Sequence, residues 1–118
     1  MLQIIFSQVS ARELAAMPRQ LQIELLDDFQ VLPTDFQMAD EKFGRLTRAG
    51  KTIYRYRVKD YRIYFEKKDG IVNVLCILSK NSLKDFFYRT KLPISEDQLL
   101  QDNPKFWQLL ESTASKRP

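Results

Sequence analysis

A chain of 118 residues, 44% hydrophobic and 29% charged with a net charge of +4, is long enough for one domain with its own core. It has no histidine and a single cysteine, Cys76. That excludes histidine-based acid–base and nucleophilic catalysis, an internal disulfide, and the usual zinc and non-haem iron sites. No stretch reaches the length of a membrane span, and the N-terminus lacks a basic segment ahead of an apolar core. A soluble, cytoplasmic protein with no metal, no cofactor and no membrane partner is expected.

In chain order, Leu2 to Phe6 reads as a first strand. Ser7 or Ser10 can cap a helix over Ala11 to Met17, with Glu13 completing a capping box from Ser10. Pro18 opens a second helix, whose apolar stripe of Leu21, Ile23, Leu25, Leu26, Phe29 and Val31 ends before Pro33. The pair forms a helical hairpin that needs the apolar face of a sheet. Thr34 to Lys42 is polar and aperiodic, and reads as a loop. Phe43, Leu46 and the run from Arg45 to Gly50 lead into Thr52 to Glu66, where residues alternate with period two on both sides of Lys59-Asp60.

With Lys59 and Asp60 as turn residues, Val58 faces Tyr61, Arg57 faces Arg62, Tyr56 faces Ile63 and Arg55 faces Tyr64. Tyr54, Tyr56, Val58, Tyr61, Ile63 and Phe65 then share one face of the sheet, and Arg55, Arg57, Arg62 and Tyr64 the other. Asp69-Gly70 is a strong hairpin signal leading into Ile71 to Leu78, an apolar run suited to a central strand, with Cys76 as a small buried hydrophobe. After Ser79 a helical pattern is expected up to Pro93. Ser95 to Gln98 is a second capping box, opening a short helix with Leu99 and Leu100. Asn103-Pro104 starts another with Phe106, Trp107, Leu109 and Leu110, packed back on the sheet or else exposed for a partner, and Ser112 onward should fray. The fold class is α+β: an N-terminal strand and helical hairpin on a three-stranded antiparallel meander, with an added helical segment over 93–118 extending the 1–92 domain.

Charge is concentrated in the meander. Residues 1–44 hold three basic and seven acidic residues, 45–68 hold nine and two, and 69–118 hold seven and six. Like charges opposite one another in a sheet cost stability, so a face with three arginines suits an anion, and phosphate matches the guanidinium fork. Four tyrosines interleave with these charges, which suits nucleic acid. The competing reading is an ordinary solvated sheet face.

The run Tyr54-Arg55-Tyr56-Arg57-Val58-Lys59-Asp60-Tyr61-Arg62-Ile63-Tyr64-Phe65-Glu66 resembles the core motif of the RelE/ParE superfamily of type II toxins. The Phe43-Gly44-Arg45-Leu46 to Gly50 lead-in and the opening Ile4-Ile5-Phe6-Ser7 resemble that family's as well, so the likeness covers about residues 2 to 90. The resemblance implies a toxin that cuts mRNA on the ribosome and is held by a cognate antitoxin through an acidic or extended segment. It implies Arg62 as clamp on the scissile phosphate, Lys80 and Tyr88 as proton-transfer groups, and Arg55, Arg57, Tyr64, Arg45, Arg48, Lys84 and Arg89 as RNA-binding residues. The chain departs from the family at Asn81, where the nucleases carry an arginine, and Tyr88 is displaced by one position. Two other functions fit the same resemblance: a ParE-type toxin acting on DNA gyrase, and a non-catalytic module that keeps the fold and the phosphate grip.

Overall fold

The computed structural model describes residues 3–29, 43–79 and 96–115. Strand β1 (Gln3–Phe6) is followed by helices α1 (Gln8–Ala15) and α2 (Arg19–Asp28). Four strands come next, β2 (Phe43–Arg48), β3 (Lys51–Val58), β4 (Tyr61–Lys68) and β5 (Ile71–Ser79), and then helices α3 (Glu96–Gln101) and α4 (Pro104–Ser115). The sheet order is β1-β5-β4-β3-β2; β1 runs parallel to β5 and every other pairing is antiparallel.

The expected hairpin register is the observed one: Val58 pairs with Tyr61, Arg57 with Arg62, Tyr56 with Ile63 and Arg55 with Tyr64. The meander has four strands instead of three, because the lead-in from Phe43 is itself a strand paired with β3 through the Ala49-Gly50 turn. Its pattern conceals this. Phe43 and Leu46 lie in the two different cores, so a strand buried on both sides shows no alternation. Ala49 and Asp69 take φ values of 51° and 52°, followed by Gly50 and Gly70 at 80° and 77°. Both turns therefore have the left-handed backbone that fits the twist of a two-residue hairpin.

One face of the sheet buries Met17, Leu25 and Phe29 from the helical hairpin against Phe43, Val58, Ile63, Phe65, Val72, Val74 and Ile77. Tyr54 stacks between Phe43 and Phe65, with ring centroids 5.6 Å from each. Ile23 and Leu26, expected in the apolar stripe, are exposed on α2, which ends at Asp28; Val31 and the 34–42 loop lie outside the described residues. The opposite face is covered by α3 and α4, which bury Leu100, Phe106, Trp107 and Leu110 against Leu46, Ile53, Tyr64, Leu75, Cys76 and Leu78. Each such side chain contributes about 1.5–3 kcal/mol by leaving water. Pro104 occupies the first position of α4, Asn103 accepts a hydrogen bond from the Lys105 amide, and the helix continues to Ser115, past the expected fraying point.

Strand β5 carries one extra residue relative to β4, since Tyr64 pairs with Cys76 and Phe65 with Val74, leaving Leu75 unmatched. Its outer edge is closed by α1. Ser7, and not Ser10, caps that helix, and its hydroxyl donates to the Leu75 carbonyl at 2.9 Å. Ser10 is buried inside the helix and donates to the Val74 carbonyl at 3.0 Å. Glu13, freed from the expected capping box, accepts the Ile77 amide at 2.8 Å. Three side chains thus satisfy the edge beyond the end of β1.

Burial raises the Glu13 pKa, partly offset by the Ile77 hydrogen bond. The folded state therefore holds this proton more tightly than the unfolded chain. Stability from Glu13 is full below the ordinary glutamate pKa and is lost as pH rises through the raised folded value. The Glu13→Gln variant keeps an acceptor for Ile77 without the ionisation. Its urea midpoint should fall less than that of the wild type between about pH 4 and about pH 7, where an equal fall would refute the assignment.

Candidate anion-binding face

Arg55, Arg57 and Arg62 project from β3 and β4 on the side of the sheet that carries Tyr64, as the alternation requires. Arg57 and Arg62 are directly opposite in register next to the Lys59-Asp60 turn, and Arg55 is one pair further along the same face, opposite Tyr64. The sheet fixes their backbones, so three guanidinium stems share a rigid platform. Arg55 is 3% and Arg62 5% exposed, while Arg57 is half-buried. The face is not the open one that the sequence suggests, since the C-terminal helices pack on its Arg55–Tyr64 end.

The contact that decides its character is between Arg55 and Asp97 in the first turn of α3. Arg55 Nε donates to Asp97 Oδ1 at 3.0 Å and Nη2 to Oδ2 at 2.9 Å, a bidentate fork-to-carboxylate pair. Gly44 makes room for it. A methyl group there would collide with Arg55 Nη2 and lie 2.6 Å from Asp97 Oδ2, so any side chain on this edge-strand position displaces the pair. Two further contacts seat the segment: the Thr47 amide donates to Gln101 Oε1, and Trp107 Nε1 donates to the Gln101 carbonyl, both at 2.9 Å.

Tyr64, expected to meet RNA, is fully buried and packs edge-on against Phe106 with centroids 5.0 Å apart. It is a core residue holding α4 to the sheet. Arg45 pairs with Tyr54, which places it on the opposite face from the other arginines, where it is exposed. Arg48 is exposed at the end of the β2–β3 hairpin, beside Lys51, whose ammonium is 3.7 Å from Glu111. Lys80, Asn81, Lys84, Tyr88 and Arg89 lie outside the described residues. Sequence reasoning took Asp97 only as part of a capping box and Gly44 only as part of the lead-in. The available signals were a lone glycine in an edge strand beside an arginine strand, and an acidic residue opening a helix otherwise apolar at Leu99 and Leu100.

Among the described residues no group of acidic or cysteine side chains can hold a metal ion, and no helix is long and apolar enough to cross a membrane. Cys76 is buried, and burial lifts its thiol pKa well above the ordinary value, so it is held as an unreactive thiol. What the face can do is bind a planar or tetrahedral oxyanion.

This architecture is similar to that of solved RelE-containing complexes. The chain superposes on the toxin–antitoxin complex RelBE2 from Mycobacterium tuberculosis with a TM-score of 0.53 at 17% identity, over 66% of this chain and 96% of that one. It superposes on the archaeal RelE–RelB complex from Pyrococcus horikoshii OT3 with a TM-score of 0.51 at 16% identity, over 67% of this chain and 94% of that one. No family model and no curated protein matches the sequence. At these identities the likeness establishes a RelE-like fold. A third of the chain has no counterpart in those structures.

Asp97→Ala should lower stability by about 3 kcal/mol in urea unfolding, because it withdraws the carboxylate from a buried guanidinium. Gly44→Ala should cost about 1–3 kcal/mol by crowding the same pair. The double variant should lose less than the two losses added, since both changes act on one contact, and strict additivity would refute that link.

Proposed function

We propose that the chain is a RelE-like toxin of a type II toxin–antitoxin system, gripping RNA phosphates on its arginine face and cutting mRNA on the ribosome. The observation that carries this reading is the placing of Arg57 opposite Arg62, with Arg55 adjacent, on one face of a RelE-like sheet. Such a cluster of like charge is unfavourable by itself and becomes favourable around an anion. Attack by a ribose 2′-hydroxyl on the adjacent 3′-phosphate closes a 2′,3′-cyclic phosphate, breaks the bond to the 5′-oxygen of the next nucleotide and builds negative charge on the phosphoryl oxygens. Guanidinium groups already fixed in the sheet stabilise that charge without reorganising. Arg62 is assigned to the scissile phosphate, and Arg55 and Arg57 to the flanking backbone. Arginine is a poor base, and the resemblance to the family's nucleases assigns the proton transfers to Lys80 and Tyr88. The solved neighbours are complexes with antitoxins, which supports a cognate antitoxin as the partner of this chain, contributing an acidic or extended segment to the basic face.

A second reading, a module that binds RNA without cutting it, is favoured by the low exposure of Arg62 and of Arg55, which is already paired with Asp97. Controlled expression in a bacterial host distinguishes the two. Growth arrest with new mRNA 5′ ends at ribosome-bound positions, reduced about a hundredfold by Arg62→Ala, is the expected outcome for the toxin. Normal growth and intact mRNA, together with salt-sensitive RNA binding by the purified protein, would replace it with the binding module.

A further inference from the structure

We propose that α3 and α4 form a built-in cover over the RNA-gripping face, with the Asp97 carboxylate occupying the position on Arg55 that a phosphate takes when RNA binds. The inference rests on the reading of that face as an RNA grip. Its support is geometric. Asp97 meets Arg55 through the same two-point fork that guanidinium offers to phosphate, at 3.0 and 2.9 Å. The pair is set in a slot that exists only because residue 44 is glycine. The covering segment lies at the end of the described chain, after all five strands, so it can leave the sheet without breaking a strand pairing.

The strength of attachment is graded along the cover. Phe106, Trp107 and Leu110 of α4 are deeply buried against Tyr64 and the adjacent strands. Helix α3 is a six-residue helix that buries Leu100, half-buries Leu99 and makes polar contacts from Asp97 to Arg55, from Gln101 to the Thr47 amide and from the Gln101 carbonyl to Trp107. A polyanion competes with the first of these contacts directly. The element that yields is therefore α3, with α4 as its anchor. RNA and the Asp97 carboxylate are mutually exclusive ligands of Arg55, which makes the intrinsic RNA affinity of the chain lower than its arginines allow.

The experiment measures binding of a short labelled single-stranded RNA across a salt series. It compares the wild type, Asp97→Asn, Arg55→Ala, the Asp97→Asn/Arg55→Ala double variant, and Arg57→Ala in both the wild-type and Asp97→Asn backgrounds, each confirmed as folded by urea unfolding. Asparagine fills the slot without the charge. Asp97→Asn should bind about tenfold tighter, with a salt slope steeper by about 0.7, as for one more phosphate engaged. That gain should vanish in the Arg55→Ala background. In the wild type, amide exchange in α3 should rise when RNA is added, while α4 stays protected. Equal affinity of Asp97→Asn and wild type, with binding to both weakened by Arg57→Ala, would overturn the cover and leave the RNA grip standing. If Arg57→Ala weakens neither, the RNA grip falls and the cover falls with it. Greater protection of α3 in the RNA complex would also overturn the cover.

Discussion

A sheet whose inner strand is apolar on both sides cannot be shielded by one layer of helix. Strand β5 contributes Val72, Val74 and Ile77 to one core and Leu75, Cys76 and Leu78 to the other. Both faces must therefore be covered, and the chain provides one helical pair from each end. The extra residue in β5 helps divide the load, since Leu75 and Cys76 both reach the second core. The arginines of β3 and β4 share a face with that second core. Once apolar burial draws α3 and α4 onto the sheet, Arg55 is taken out of water along with them.

Burying guanidinium groups beside one another is costly unless oxyanions come with them. Asp97 meets this requirement at Arg55, and the absence of a side chain at Gly44 lets it do so with both oxygens. On the far side of the sheet the charges are handled differently. Tyr56 donates to Asp28 at 3.4 Å, and Lys59 at the hairpin turn meets Glu24 of α2, where an exposed ion pair adds little. The lysine's hydrogen bond, joined by one from Gln20, draws the Glu24 pKa down. Solvent supports those charges, whereas protein must support Arg55.

The sequence shows the hairpin register because alternation and turn position are local and mutually reinforcing. It shows the RelE-like architecture because the order of elements and the box around Tyr61-Arg62-Ile63 agree with it. It conceals β2, since Phe43 and Leu46 point into different cores and leave no period to detect. Ser10 and Glu13 mislead in a similar way. Their spacing fits a capping box, yet both are drawn to the open edge of β5, a demand set by residues more than sixty positions away. The pairing of Arg55 with Asp97 spans forty-two residues, and no local pattern encodes a partner at that distance. The arginine face was legible as a chemical preference for anions, but its occupant was not.

The order in which the chain is made gives the placement of Asp97 a temporal meaning. The strands bearing Arg55, Arg57 and Arg62 precede α3 and α4 in the sequence. At ordinary elongation speeds of about 5–20 residues per second, the stretch from the end of β5 to the end of α4 takes on the order of two to seven seconds to synthesise. During that interval the meander has its arginines and the carboxylate partner of Arg55 is only just being made. The arginines are thus complete in sequence before the carboxylate that pairs with Arg55 is made.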